Sequence, residues 1–351
     1  MFGPMLTLVM ACGSSDEPKA SPEPAVQLVQ PALVDPKWQR ARCNDGTPFG
    51  MAVRRTSSDV WVIKVSGGFF CDDDKTLCSG RKPRLTTAPS EGAIRQVGLF
   101  STDPAENPDF HDANQVVAAY CSSDLWLGAQ AVRQETTGAA EGWYFSGRLN
   151  LQAGLEVLSE HQGLIDGASK ILVVGDSAGG MGVVSNVPML QRLFPKAVRS
   201  GDLKLIADGA WVPRQPDLSA TPVANRWGAM HEGCVAEQTG RGLDPRNCVF
   251  GDVWYPHVRA SGIPILVQQS ALDSTQAQIY AFKGAGSAAW RKKTRASLSQ
   301  VEWVFSGGFG YHTVAFDTKF GAGKPGRSFQ EVLGRFWRGD PPEQVFFRYP
   351  D

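Results

Sequence analysis

The segment Ile171-Leu-Val-Val-Gly-Asp-Ser-Ala-Gly-Gly180 decides how this chain of 351 residues is interpreted. Its apolar start predicts a buried β-strand, and the glycines around Ser177 form a Gly-x-Ser-x-Gly pattern with a predicted helix behind it. A sharp turn from strand to helix holds a serine hydroxyl clear of its neighbours, where it can attack a carbonyl carbon. Ser177 is therefore the candidate nucleophile. The alternative is a plain turn whose glycines serve only tight packing.

The chain after Ser177 supplies an acid and a base in the order that a catalytic triad on such a sheet requires. Residues 263–269 predict a late buried strand, and Asp273 lies in the loop that follows it. Residues 301–305 predict another strand, which leads into a glycine-rich loop with His312, the only histidine after Asp273. We predict that His312 is the general base for Ser177 and that Asp273 orients its ring. Alone, Asp273 is also compatible with a helix cap and His312 with a structural role.

A second requirement is an oxyanion hole, because negative charge develops on the carbonyl oxygen in the transition state. Ala178 follows the nucleophile and supplies one candidate backbone donor. Val60–Val65 predicts an early strand that runs directly into Ser66-Gly-Gly-Phe-Phe-Cys71. Gly68 and Phe69 are the candidates for the second donor. Glycines that merely turn the chain after a strand are the alternative.

Alternating strand and helix patterns predict an α/β fold with a mostly parallel sheet. Strands are predicted at 51–54, 60–65, 115–120, 171–174, 204–208, 263–269 and 301–305, and helices at 147–159, 179–193, 275–282 and 328–338. Residues 211–255, rich in Trp, Pro and Gly, are predicted to form an insertion over the active site. His231 and His257 in and beside it are expected to be structural.

Composition argues against several classes of protein. The chain has 35 basic and 35 acidic side chains, and no concentrated basic surface that would indicate a nucleic-acid partner. No apolar run approaches the ~20 residues needed to span a bilayer. The acidic run Asp72-Asp-Asp74 lacks the Gly and Glu spacing of a calcium loop. We expect neither a metal ion nor a cofactor.

The amino-terminal residues predict export. Residues 1–11 are apolar, and Val9-Met-Ala-Cys12 resembles the lipobox of bacterial lipoproteins, which makes Cys12 a candidate for lipidation and membrane attachment. Residues 12–40 are predicted to be a disordered tether and residues 41–351 the catalytic domain. The segment lacks basic residues and is shorter than the usual signal of about 15–30 residues. A truncated start or an accidental match is therefore the alternative to a cell-envelope lipoprotein or a secreted protein.

The other six cysteines form an even set, which fits disulfide bonds made in an oxidising compartment. The close pairs favour two local bridges and leave two cysteines for each other. The predicted bridges are Cys71–Cys78, Cys234–Cys248 and Cys43–Cys121. A zinc site is the alternative, but neither C-x-x-C nor a paired H-x-x-x-H spacing occurs.

Several segments in chain order resemble successive motifs of the pectin acetylesterase family, a group of serine esterases that includes Notum-like enzymes of animals. They are Cys43-Asn-Asp-Gly-Thr-Pro48, Gly67-Gly-Phe-Phe-Cys71 with Cys78-Ser-Gly-Arg81, Asn107-Pro-Asp-Phe-His-Asp-Ala-Asn114, Tyr120-Cys-Ser-Ser-Asp-Leu-Trp-Leu-Gly128 and Gly175-Asp-Ser-Ala-Gly-Gly180. The resemblance runs from about Cys43 to beyond His312. It implies an α/β-hydrolase fold, the triad and oxyanion hole named above, and the Cys43–Cys121 pairing.

The resemblance also implies hydrolysis of O-acyl esters through an acyl-serine intermediate, most simply of acetyl esters on a polysaccharide such as pectin. The sequence does not determine the oligomeric state, and we expect a monomer. Trp126, Phe309 and Tyr311 are expected to line the substrate pocket. Phe69 stands where the family usually has a tryptophan, which changes the wall of the acyl pocket. A fatty-acyl or thioester hydrolase and a catalytically silent carbohydrate-binding member are the alternatives.

Overall fold

The chain forms a mixed sheet that is covered by helices on both faces. The computed structural model describes residues 24–71, 78, 86, 93–129, 141–161, 163, 170–214, 230–279, 288–308 and 310–347. Within this part of the chain the sheet has nine strands in the order β1-β2-β4-β3-β5-β6-β7-β8-β9. The strands are β1 Val26–Val29, β2 Met51–Arg54, β3 Val60–Val65, β4 Asn114–Ala118, β5 Lys170–Asp176, β6 Leu203–Asp208, β7 Ile265–Gln268, β8 Trp303–Ser306 and β9 Gln344–Phe346.

The sheet is parallel from β4 to β9, and β2 is the antiparallel member. All seven predicted strands are present, with bounds that differ by at most two residues from prediction. Because the carboxyl ends of parallel strands lie at one edge, the loops after β3, β5, β6, β7 and β8 meet there. This α/β-hydrolase-type arrangement is the predicted fold class.

The central strand β5 is buried on both faces. Ile171 and Val173 belong to one hydrophobic cluster, and Leu172 and Val174 belong to the cluster on the other face of the sheet. A strand covered on both sides needs apolar residues at every position, which explains the uninterrupted apolar run.

Helices supply the two covering layers. They are α1 Pro31–Val34, α2 Gly147–His161, α3 Ala178–Ser185, α4 Val187–Leu193, α5 Pro195–Ser200, α6 Glu232–Gly240, α7 Gly251–Ala260, α8 Ser274–Ile279, α9 Ala288–Leu298 and α10 Phe329–Arg338, with short 3-10 helices at Pro36–Trp38, Gly98–Phe100 and Pro245–Val249. The first cluster contains apolar residues of α2, α3 and α7, and the second contains those of α10. Helix α10 begins with a capping box, in which the Ser328 hydroxyl accepts from the Glu331 N–H and Glu331 accepts from the Ser328 N–H.

One predicted helix is in fact two. Residues 179–193 were expected to be continuous, but α3 ends before Asn186 and α4 begins after it. Pro188 in the first turn of α4 has no N–H to donate to the preceding helix, so the chain restarts there. The Asn186 side chain donates to the Trp126 carbonyl at 3.0 Å and so ties the break to a neighbouring loop.

The predicted tether is wrong over its carboxyl-terminal part. Residues 12–40 were expected to be disordered, yet β1 pairs antiparallel with β2, from Val26 opposite Arg54 to Val29 opposite Met51. Main-chain pairing along a sheet edge and burial of Val29 offset the polar composition of this stretch. Residues 1–23, which include the export segment and Cys12, lie outside the described residues. In the described part, no helix has the length and apolar character to cross a bilayer.

The structure contains the three predicted disulfide bonds, Cys43–Cys121, Cys71–Cys78 and Cys234–Cys248. The first joins residues 78 positions apart and fastens the segment before β2 to the end of β4. The second lies beside the loop after β3, and the third joins α6 to the following 3-10 helix in the β6–β7 connection.

Loop length predicts which bridge stabilises the fold more. Replacing Cys43 and Cys121 by serine should lower the free energy of unfolding by about 4 kcal/mol, because the bridge restricts a long loop in the unfolded chain. The matched variant Cys234→Ser/Cys248→Ser opens a separation of 14 residues and should lose about 3 kcal/mol. Urea denaturation of both variants measures this. A Cys43/Cys121 variant more stable than its counterpart contradicts the expectation.

Candidate active site

Ser177 lies on a sharp turn between β5 and α3. Its backbone has φ 56° and ψ −117°, a strained combination for a residue with a side chain. Strand and helix approach so closely that a Cβ on Gly175 would lie 2.2 Å from the Gly179 carbonyl oxygen. Only glycine fits there. The Gly-x-Ser-x-Gly pattern is thus explained by a turn that presents the Ser177 hydroxyl above the sheet edge.

The three predicted triad residues lie in one hydrogen-bonded line. His312 Nε2 is 2.7 Å from Ser177 Oγ, and His312 Nδ1 is 2.6 Å from Asp273 Oδ2. Ser177 follows β5, Asp273 follows β7 and His312 follows β8, so the parallel sheet brings together side chains up to 135 positions apart.

Two glutamines hold the acid in place. The Asp273 side chain is only 1% exposed, and its Oδ2 also accepts from Gln269 Nε2 at 3.0 Å. Its Oδ1 accepts from the backbone N–H of Gln276 at 2.9 Å. The Gln276 side chain in turn donates to Gln269 Oε1 at 3.0 Å. This network fixes the carboxylate with one oxygen aimed at His312.

The charges around His312 favour the protonated form of its imidazole. Burial by itself lowers the pKa of His312, but the hydrogen bond and negative charge of Asp273, with the charges of Asp208 and Asp176, outweigh it and raise the pKa above its usual value. A base with a raised pKa accepts the serine proton more readily.

The predicted oxyanion-hole residues border Ser177. Gly68 and Phe69 line the cleft that contains Ser177 and His312, and Ala178 lines the cleft that adjoins it. Ala178 is the first residue of α3, so its N–H has no acceptor within the helix. The loop after β3 is held from Gly67, whose N–H donates to Asp176 Oδ1 at 3.1 Å.

A narrow, mostly apolar cleft opens beside the Ser177 hydroxyl. Its cavity volume is about 20 Å³. It is lined by Phe69, Phe70, Leu125, Ser177, Ala178, Met181, Gly209, Ala210, Val212, Gln276 and His312. An adjoining cleft, which shares Phe69, Ser177 and His312 with the first and includes Thr275 and Thr313, is roomier, with a volume of about 200 Å³.

The pocket prediction for Trp126 is wrong. Its side chain is 0% exposed, stacks on Tyr120 with ring centroids 5.4 Å apart, and donates to the Ser66 carbonyl at 2.9 Å. The neighbouring Leu125 lines the narrow cleft instead. Trp126 therefore holds the start of the loop after β3, which carries the predicted oxyanion-hole residues, and it does not line the cleft.

The two other predicted pocket residues have different outcomes. Tyr311 is 39% exposed, lies under the Lys319 ammonium at 4.9 Å from the ring centroid, and lines neither cleft. Phe309 lies outside the described residues. Sequence patterns identify aromatic residues in loops but give no information on which way they face.

Asp124 organises the loop that supplies Leu125, and sequence reasoning missed it. Its fully buried carboxylate accepts backbone N–H groups of Trp126, Gly128 and Gly147 at 2.7–3.1 Å, besides the Ser122 hydroxyl at 2.7 Å. Burial raises the pKa of Asp124 to about 6, although these hydrogen bonds lower it. A lone Asp within residues 120–128 was the only signal in the sequence, because the left-handed backbone of Ser123, Leu125 and Trp126 is visible only in the structure.

The two histidines of the β6–β7 connection pack against each other. The ring centroids of His231 and His257 are 5.4 Å apart, and His257 Nε2 lies 3.2 Å from Glu237 Oε2. Burial lowers the pKa of His231 to about 4, helped by the neighbouring His257. Among the described residues, no group of three or more His, Cys, Asp or Glu side chains is arranged to hold a metal ion.

Comparisons with known proteins agree with the geometry. A family model described as Pectinacetylesterase matches residues 23–324. The chain is 31% identical over 255 residues to palmitoleoyl-protein carboxylesterase NOTUM of Drosophila melanogaster, which covers 68% of this chain and 36% of the relative. It is 32% identical over 265 residues to the human protein of the same name, which covers 67% of this chain and 49% of the relative.

Among solved structures, the Wnt deacylase Notum from Drosophila superposes with a TM-score of 0.72 at 25% identity, covering 89% of this chain and 94% of that chain. The chain spans half or less of the length of the curated relatives described above. The family match, by contrast, extends over most of the chain, from β1 through the loop that carries His312. The chain therefore belongs to the pectinacetylesterase family.

Proposed function

We propose that this protein is a serine carboxylesterase that removes short O-acyl groups, acetyl above all, from an acylated polysaccharide such as pectin. The observation that carries the proposal is the line of hydrogen bonds from Asp273 through His312 to Ser177, beside the loop of Gly68 and Phe69. A partly buried serine on a strained turn that borders a cleft, a base with a raised pKa and a buried, oriented carboxylate are the parts that acyl transfer requires.

The chemistry uses each part in turn. His312 Nε2 takes the proton of Ser177 Oγ as that oxygen attacks the ester carbonyl, and Asp273 stabilises the imidazolium. The N–H groups of Phe69 and Ala178 donate hydrogen bonds to the oxyanion. The intermediate collapses, the alkoxide leaves with the proton from His312, and the acyl group stays on Ser177. A water molecule activated by His312 then releases the acid and restores the serine.

The narrow cleft supports a short acyl group. Space of 10–15 Å³ for the centre of a water molecule holds about one water, so the 20 Å³ beside Ser177 suits a group about the size of a methyl. The roomier adjoining cleft then accepts the alcohol, which suits a bulky sugar. A fatty-acyl ester is the second candidate, favoured by the similarity to palmitoleoyl-protein carboxylesterases.

The disulfide bonds support an exported protein, since such bonds persist in oxidising compartments. Lipidation of Cys12 stays a prediction. The monomeric state, the polysaccharide partner and independence from metals and cofactors are likewise proposals.

Substrate length tests the proposal directly. With p-nitrophenyl esters, kcat/KM should be highest for the acetate and fall by at least about tenfold by the octanoate, because longer chains do not fit beside Ser177. Ser177→Ala should lower kcat by about 10⁴-fold or more. Release of p-nitrophenol measures both. An octanoate that is turned over faster than the acetate selects the fatty-acyl candidate, and an active Ser177→Ala variant refutes the serine mechanism.

Enlarging the cleft should change acyl preference. Met181 and Met189 are both 2% exposed, but only Met181 lines the cleft. Met181→Ala should raise the ratio of kcat/KM for butyrate to that for acetate by about tenfold, since added methylenes then fit. Met189→Ala should lose comparable stability and leave the ratio unchanged. Equal ratios in the two variants would show that the cleft does not receive the acyl chain.

The raised pKa of His312 predicts the pH profile. Only the neutral imidazole accepts the serine proton, so kcat/KM should fall as the pH drops through the His312 pKa, with a midpoint above the usual histidine value of about 6.5. The profile of acetate hydrolysis, corrected for spontaneous hydrolysis, gives this midpoint. A midpoint well below 6.5 contradicts the assignment of His312 as the base.

A further inference from the structure

A buried carboxylate outside the triad joins two of its parts. Asp208 is the last residue of β6, lies in register beside Asp176 of β5, and is fully buried. Among the described residues, no Lys or Arg forms an ion pair with it. Burying a carboxylate is costly unless hydrogen bonds satisfy it, so its partners indicate what it does.

The partners of Asp208 belong to the nucleophile turn and to the loop of the base. Its carboxylate accepts the backbone N–H groups of Val314 and Ala315, two and three residues after His312, at 3.0 and 2.9 Å. Its backbone carbonyl accepts the N–H of Ser177 at 2.7 Å. One residue thus contacts both chain segments whose side chains must meet at 2.7 Å.

The residue after Asp208, Gly209, contacts the backbone of His312. Gly209 has φ +70°, and a Cβ there would lie 2.4 Å from the His312 carbonyl oxygen. The His312 backbone therefore rests directly on the chain that leaves β6. On its far side the same loop is held by Leu99, whose N–H donates to the Ala315 carbonyl at 2.8 Å. The base is therefore placed by fixed main-chain contacts, although its loop is rich in glycine.

We propose that Asp208 is a positioning residue that sets the distance between the Ser177 hydroxyl and the His312 imidazole. The proposal rests on the esterase function proposed above. Asp208 touches no reacting atom. It acts through the backbone of the turn at Ser177 and of the 312–315 loop. Removing its carboxylate leaves two buried N–H groups with one acceptor fewer.

Asp208 also acts electrostatically on the base. The charged groups that bear on His312 are Asp273, Asp208 and Asp176, and Lys64 of β3 lies 3.8 Å from Asp176. Burial raises the pKa of Asp208 to about 7, against hydrogen bonds from Ala315 and Val314 that lower it. Loss of this charge should therefore lower the pKa of His312, a change that a purely structural role would not produce.

The test compares Asp208→Asn with Asp124→Asn, another buried carboxylate that binds backbone N–H groups but is not among the charges acting on His312. For p-nitrophenyl acetate, Asp208→Asn should lower kcat about 10–100-fold with KM within about threefold, because the triad is misplaced while the cleft is intact. The acidic limb of the kcat profile should move down by about 0.5–1 pH unit. Asp124→Asn should lose stability without moving that limb.

Other outcomes are equally informative. A folded Asp208→Asn variant with wild-type kcat overturns the proposal. So does a folded variant whose acidic limb in the kcat profile lies at the same pH as in the wild type. If Asp208→Asn does not fold, Asp208→Glu is the deciding variant, because it keeps the charge and moves the oxygens. A reduced kcat, with KM and the acidic limb of the kcat profile unchanged, supports positioning. A wild-type kcat overturns it. Failure of the esterase function itself would appear separately, as activity that survives Ser177→Ala.

Discussion

The close contact between the end of β5 and the start of α3 is the constraint on which the rest of the site depends. Gly175 and Gly179 approach too closely for any side chain, and this forces Ser177 into its left-handed, strained backbone. Such strain persists only where the surroundings determine it fully. Here the surroundings are a strand buried on both faces and the carbonyl of Asp208, which accepts the Ser177 N–H.

At the carboxyl edge of the sheet, carboxylates accept the hydrogen bonds of loop N–H groups. Beyond the strands, loop N–H groups have lost their ladder partners and need other acceptors. Asp176 serves the oxyanion loop through Gly67, Asp124 serves the loop of Leu125 and Trp126, and Asp208 serves the loop of His312. Three of the loops that contribute to the site are thus held by acidic side chains, while Gln269 and Gln276 hold Asp273, and these contacts make the site an extension of the rigid sheet.

The sequence predicts the triad because each member has a local signature. Ser177 lies between required glycines, and Asp273 and His312 each follow an apolar run. It does not predict Asp208, since an aspartate at the end of a strand looks the same whether it faces solvent or binds two buried N–H groups. The error for Trp126 has a similar origin, because only its tertiary packing shows that it faces inward, for example at Gly182, where a hypothetical Cβ would lie 2.6 Å from the Trp126 Cβ.

The remaining differences arise from tertiary contacts. The segment around Val29 has the composition of a tether, and it is ordered because β2 offers an unpaired edge. Pro188 does leave a signal in the sequence, and the helix break at Asn186 follows from it.

Under the proposed function, the same rigidity makes packing the determinant of acyl size. Met181 and Ala178 come from α3, Ala210 and Val212 follow β6, and Leu125 is held by Asp124, so this part of the cleft wall consists of buried groups anchored to the sheet. Phe69, which also lines the cleft, is 42% exposed. The buried part of the wall cannot widen by moving a loop, because interiors are close-packed and each side chain is in contact with fixed neighbours. Acyl preference in this fold therefore changes by exchanging single side chains in the wall, while the strained turn and its hydrogen-bonded partners stay as they are.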